Sequence, residues 1–176
     1  AMNIASLEPI QKTLITLGLA FGNAIVSVLV TNGLMMVIER IFGVTTSLSL
    51  LELSDMNRPL LKRLSLEAPG TFNHSIVVGN LLEAAAEKIG ANSLLARVGA
   101  YYHDIGKLSK ADYFVENQQG GENKLNQLKP HMAAKVIISH VRNGLELAEQ
   151  EKLPDVIKDF IATHHGTLTV DYFYQK

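Results

Sequence analysis

The apolar positions of this chain follow two different patterns. From Thr13 to Ile38, 26 residues pass without a single charge. As a helix that run extends roughly 39 Å at about 1.5 Å per residue, more than the ~30 Å core of a bilayer requires. Lys12 borders one end and Glu39-Arg40 the other. The pattern predicts one apolar, transmembrane helix. Gly18 and Gly22 form a GxxxG pair that permits close helix packing in lipid. Asn23, Ser27 and Asn32 would prefer a helix neighbour to lipid, and Asn32-Gly33 is a candidate break. The run is too long for a signal peptide and lacks a basic leader and a small-residue cleavage site. A buried core helix or a dimerisation helix is the alternative.

After Gly43 the pattern becomes amphipathic and helical. Leu48–Leu66 is expected to form short helices interrupted at Arg58-Pro59, because proline disfavours helix in the residue before it. Ala68-Pro69-Gly70 reads as a turn. Thr71 is then placed to cap a helix reaching about Lys88, where Val77, Leu81, Ala84, Ala85 and Lys88 keep the 3.6-residue period. Gly90 stops it, Asn92 caps the next helix to about Asp104, and Gly106 ends that one. The polar stretch 109–129, with Gly120-Gly121 inside, reads as a long mobile loop. Pro130 suits the first turn of a helix that continues to about Lys152, with candidate breaks at Ser139 and Gly144. Pro154 starts another that ends at Gly166. No strand alternation appears before Thr167, and no internal repeat is present. The fold class expected is all-α, a helical bundle preceded by the apolar helix.

Composition sharpens this division. Residues 1–42 hold four charges, Glu8, Lys12, Glu39 and Arg40, of the 16 Lys+Arg and 17 Asp+Glu in 176 residues. A net charge of −1 gives no electrostatic reason to expect long nucleic acid as a partner. With no cysteine, disulfide scaffolds, thiolate metal sites and cysteine nucleophiles are excluded. With no tryptophan and 6% aromatic residues, a stacking platform for single strands is not expected.

The candidate chemistry lies in the histidines. A lone histidine is usually a surface or satisfied core residue, but four apolar helices here each carry one into expected core. His103-Asp104 closes a helix after Val98-Gly99-Ala100-Tyr101-Tyr102, and a carboxylate buried there needs a partner or a metal. His164-His165 closes another apolar helix before Gly166. His74 and His140 sit among Ile76, Val77, Val78 and Val136, Ile137, Ile138. Imidazole and carboxylate are ordinary ligands of divalent transition metals, and facing helices of a bundle commonly assemble such sites.

His103-Asp104-Ile105-Gly106-Lys107 is the HDIGK form of the HD superfamily signature. His74 upstream, His140 and then His164-His165-Gly166-Thr167 complete the pattern. The stretch Leu50–Leu81 resembles the entry to the HD domain in the seven-transmembrane HD family (PgpH type), in which the last membrane helix leads straight into this segment. The resemblance extends from about Leu14 to Lys176. It implies an HD-domain bundle and hydrolysis of cyclic di-AMP to a linear dinucleotide with two divalent metal ions, iron or manganese. The implied ligands are His74, His103, Asp104, His140, His164 and His165. His131 matches no ligand position and reads as helix-start or surface. The family uses one more aspartate well downstream of the HHG motif. Asp155 and Asp171 are not at that position, so the chain is expected to be a fragment with one metal site incomplete, and it is open whether the fragment itself is active.

The division expected is a membrane-helix region at 1–42, a connecting helical segment at 43–70 and the HD domain at 71–176. Asp104 could bridge two metals, with His103 and His74 on one and His140 and His164 on the other. His165, about 100° around the helix from His164, could be a ligand or support one. Such a pair of ions activates water and stabilises the attacking and leaving oxygens of an in-line displacement. Lys107 could bind a non-bridging phosphate oxygen and offset transition-state charge; a solvated helix-end lysine is the plainer reading. Arg58, Lys62 and Arg63 after the apolar run place the HD domain in the cytoplasm and the chain in the cell membrane. Expected partners are a cyclic dinucleotide, the membrane and, as an open expectation, a second copy in a homodimer. Two other readings stay open: a one-metal HD nucleotide phosphohydrolase, for which His140 and His164-His165 would be surplus, and a non-catalytic module that binds a nucleotide and signals through the helix. A purely structural helical membrane protein leaves the histidines unexplained.

Overall fold

The protein is described from a computed structural model covering residues 9–118, 120 and 122–168, the side chains of Met36 and Arg40 excepted. Among the described residues it is all-helical, without strands. It divides into two compact units, 1–44 and 45–176.

The first unit is a single helix, α1 (Pro9–Phe42). Its span Pro9–Glu39 has a mean hydropathy of 2.0 in its most apolar window, and none of that window is buried. This is not the pattern of a soluble protein's core helix, which hides one face. Leu17, Phe21 and Leu29 are all exposed. The helix runs through Asn32-Gly33 without the expected break, since a single glycine inside a long apolar helix costs only about 1 kcal/mol. Thr13 and Thr16 donate their hydroxyls to the carbonyls of Pro9 and Lys12, at 3.0 and 2.8 Å. That keeps these hydroxyls satisfied within the helix.

The second unit is built from α2 (Ser47–Leu53), α3 (Pro59–Glu67), α4 (Pro69–Lys88), α5 (Ser93–Tyr102), α6 (Pro130–Gln150) and α7 (Asp155–Thr163). Its core gathers Leu50 and Leu53 of α2, Leu60, Leu61 and Leu64 of α3, Val98 and Tyr102 of α5, and Ile157 and Ile161 of α7. The leucines expected to form a connecting segment therefore share one core with the rest of the unit. Tyr102 is fully buried and donates its hydroxyl to the carbonyl of Leu53 at 2.8 Å. Burial pushes its phenol up to about 12.

Several expectations about the elements are corrected. Ala68-Pro69-Gly70 is not a separate turn: Pro69 is the first residue of α4, a position where its missing N–H costs nothing. Thr71 is consequently inside α4, buried, and not its cap. Residues 109–129 are not a featureless loop but a series of 3₁₀ turns, at Ile105–Tyr113, Val115–Asn117 and Lys124–Gln127. Leu108, Phe114 and Leu125 are each buried and pin the series to the unit. Helix α6 passes Ser139 and Gly144 unbroken. Asn92, by contrast, caps α5 as expected, accepting from the Leu95 N–H at 3.0 Å.

Gly106 does not act as a helix terminator. A Cβ there would lie 1.8 Å from the carbonyl oxygen of His140 and 2.4 Å from the nitrogen of Gly144. Two glycines thus let the segment after Asp104 lie directly on the backbone of α6. This contact brings Asp104 to His140.

Candidate metal centre

Four helices converge on one cluster. His74 comes from α4, His103 and Asp104 follow α5, His140 comes from the middle of α6, and His164 and His165 follow α7. Asp104 is 3% exposed and His140 2%, so both lie in the interior.

The imidazoles are oriented by backbone carbonyls one turn earlier. Nδ1 of His103 donates to Ala100 O at 2.7 Å, Nδ1 of His164 to Ile161 O at 2.9 Å, and Nδ1 of His140 to Ile137 O. Each bond turns Nε2 toward Asp104. Nε2 of His103 lies 3.1 Å from Asp104 Oδ2, while Nε2 of His140 and His164 lie 3.4 and 3.6 Å from Oδ1. His165 Nε2 approaches His140 Nε2 at 3.1 Å. His74 is exposed, with its ring 5.5 Å from that of His103.

Two triads result, His74/His103/Asp104 and His140/His164/His165, each offering ligand atoms within 4.8 Å of one another. Asp104 stands between them, Oδ2 toward the first and Oδ1 toward the second. His131 is exposed at the start of α6, and Asp155 begins α7, ion-paired with Lys158 at 3.0 Å. Asp171 lies outside the described residues.

The donor set fits a divalent cation for two physical reasons. His140 and His164 each use Nδ1–H on a carbonyl, so in their neutral forms both Nε2 atoms carry lone pairs, and these face each other at 3.2 Å. Two lone pairs so placed repel unless a cation lies against them. Asp104 Oδ1 is buried with no hydrogen-bond partner, an orphan that a cation would satisfy. The electrostatics of the His140/His164/His165 triad agree. Burial lowers the imidazoles of His140 and His165, keeping them neutral as ligands must be. Burial opposes ionisation of Asp104, but the hydrogen bond from His103 and the adjacent Lys107 hold its carboxyl far below the usual carboxylate range. Burial likewise opposes the charged form of His103, and Asp104 outweighs it, raising the imidazole.

Lys107 is not a solvated helix-end lysine. Its ammonium lies 2.8 Å from Asp104 Oδ2 and 2.6 Å from Glu116 Oε1, 5.1 Å from the centre of the Phe114 ring. The ring of Phe114 in turn meets His140 edge-on at 5.9 Å. Glu116 and Phe114 were invisible to sequence reasoning, because they sit in a polar stretch without helical period.

A helical bundle in which a His-Asp pair is met by histidines from neighbouring helices is the architecture of an HD domain. The family description of that domain matches residues 71–171, more than half of the chain, and the chain belongs to the HD-domain family. Within it, the chain is 46% identical over 165 residues to the cyclic-di-AMP phosphodiesterase PgpH of Listeria monocytogenes, covering 94% of this chain and 23% of that protein. It is 46% identical over 164 residues to the cyclic-di-AMP phosphodiesterase PgpH of Bacillus subtilis, covering 93% of this chain and 23% of that one. The chain thus spans about a quarter of the length of the curated relatives it matches. The crystal structure of the L. monocytogenes PgpH HD domain in complex with cyclic-di-AMP matches with a TM-score of 0.66 at 48% identity, over 69% of this chain and 57% of that one.

Proposed function

We propose that this chain carries the catalytic centre of a metal-dependent phosphodiesterase that opens a cyclic dinucleotide, cyclic di-AMP, to a linear one. The observation that carries the reading is Asp104, buried, with one oxygen facing His103 and the other facing His140 and His164. The relatives named for cyclic-di-AMP hydrolysis supply the substrate.

In this reading two divalent ions, iron or manganese, would be held by ligands drawn from His74, His103, Asp104, His140, His164 and His165. Such ions supply an acidified water and a counter-charge for phosphoryl oxygens. The protein's own groups do the rest. The carbonyls of Ala100, Ile137 and Ile161 fix three imidazoles in place, so their alignment requires no reorganisation during the reaction. Lys107 orients Asp104. An ammonium carries three donors, two of which point at Asp104 and Glu116, leaving one for a non-bridging phosphate oxygen.

Helix α1 spans the membrane in this reading, and Arg58, Lys62 and Arg63 keep the HD unit on the cytoplasmic side. Gly18 and Gly22 provide a surface for pairing with a second copy. The functional division proposed is 1–42 for membrane attachment, 43–70 for connection and 71–176 for the HD domain.

The test is to incubate the full chain, loaded with Mn²⁺ or Fe²⁺, with cyclic di-AMP and separate the products by chromatography. Linear dinucleotide, lost on chelation and lost in His103→Ala, supports the reading. Turnover that survives chelation would remove it. Binding without product would select the non-catalytic module, and a single ion per chain would select a one-metal phosphohydrolase.

A further inference from the structure

The amino end of α4 has no cap of its own. Its N-cap position is Ala68, which offers no side-chain acceptor, yet an N-terminus buried without partners is destabilising. The missing acceptor comes from a residue far along the chain. Asn117 Oδ1 accepts the N–H of Thr71 at 2.9 Å, and its Nδ2 donates back to Thr71 Oγ1 at 2.9 Å. Thr71 Oγ1 also donates to Glu116 Oε1 at 3.2 Å. The backbone is equally close: a Cβ on Gly70 would lie 1.7 Å from Glu116 O. The turn Val115–Asn117 is therefore seated on the first turn of α4, with main chain against main chain.

This seat has consequences for the cluster. Thr71 is less than one turn from His74 on the same helix. Glu116, which joins Thr71, also holds the Lys107 ammonium that holds Asp104. A continuous chain of polar contacts thus runs from the helix bearing His74 to Asp104 without touching α6 or α7. We infer that Asn117 and Glu116 are positioning residues that fix the distance between His74 and the His103-Asp104 pair, and so set the cation affinity of that half of the centre more than that of the other. The inference rests on the metal-centre reading above.

Manganese titration of the full chain in detergent, followed by calorimetry, tests it without relying on turnover. Two backgrounds isolate the halves: His164→Ala leaves the His74/His103/Asp104 triad, and His74→Ala leaves the other. In the first background Asn117→Ala should weaken Mn²⁺ binding about ten-fold or more, the usual effect of removing a group that orients a ligand. In the second it should change affinity less than about two-fold. Asn117→Asp keeps the oxygen that accepts the Thr71 N–H and should restore most of the loss, which general destabilisation of the fold would not do. Glu116→Ala should act in the same direction as Asn117→Ala, and it carries the test if Asn117→Ala does not fold. Equal weakening in both backgrounds, or none in the first, overturns the inference. If the parent chain binds no Mn²⁺ in either background, the metal-centre reading itself fails.

Discussion

At the scale of single residues, Asp104 has the most exacting environment in the chain. One oxygen is shared by His103 and Lys107, and the other is buried without a donor. Asp104→Asn preserves the shape but replaces one acceptor with a donor and removes the charge between the triads. It should abolish phosphodiester hydrolysis and lower the bound metal from both halves, as measured by elemental analysis of the purified chain. Lys107→Met, which keeps the length of the side chain but removes the ammonium joining Asp104 to Glu116, should weaken Mn²⁺ binding at the His74/His103/Asp104 triad and lower turnover with it. Tyr102 offers a residue-scale check on the core. Its phenol ionises near 12 when folded against 10.0 in the open chain, so the unfolded state releases the proton first. The stabilisation this provides is complete below pH 10 and disappears as pH rises toward 12, by on the order of 2 kcal/mol. Tyr102→Phe should flatten the loss of stability in that window, while costing about 1 kcal/mol at neutral pH through the lost bond to Leu53. Denaturant titrations across alkaline pH would record both effects.

At the scale of elements, the decisive contact is the crossing of the 105–113 segment over α6. Gly106 and Gly144 let two backbones touch, and no side chain larger than hydrogen is compatible at Gly106 without moving His140. Gly106→Ala should therefore destabilise the unit by about 3 kcal/mol or more, visible as a fall in melting temperature, and it should displace His140 from Asp104. The 3₁₀ turns after Asp104 belong to this scale as well. They show none of the periodicity that identifies a helix, because three residues per turn over short pieces leaves no repeating apolar face. Their order comes from single buried anchors, Leu108, Phe114 and Leu125, and from side-chain caps such as Asn123, which accepts the Leu125 N–H at 2.9 Å. Helices α4 to α7 were legible because each repeats its apolar positions over several turns. Their exact starts were less so: at α4 the capping group is 46 positions away in sequence.

At the scale of the whole molecule, the two units differ in the surface they present. Helix α1 exposes apolar side chains along its length, which water would not tolerate on a free helix. The chain should remain with the membrane fraction after alkaline carbonate washing. In the proposed metal-centre reading, linkage couples the stability of the second unit to its ions. A ligand at 100 times its dissociation constant adds about 2.7 kcal/mol of stability, so chelation should lower the melting temperature of the unit and Mn²⁺ should restore it, by calorimetry in detergent. The amino-acid sequence by itself determined the apolar helix, the all-α class and the six residues of the cluster. Those rest on local information: charge spacing, the 3.6-residue period, and residue types that are costly to bury unpaired. Only the tertiary structure decided that Lys107 is clamped between Asp104 and Glu116, that Gly106 serves a crossing rather than an end, and that Asn117 caps α4. Each of these is a contact between segments distant along the chain. Such contacts leave no periodic trace, because their free energy depends on where the backbones meet.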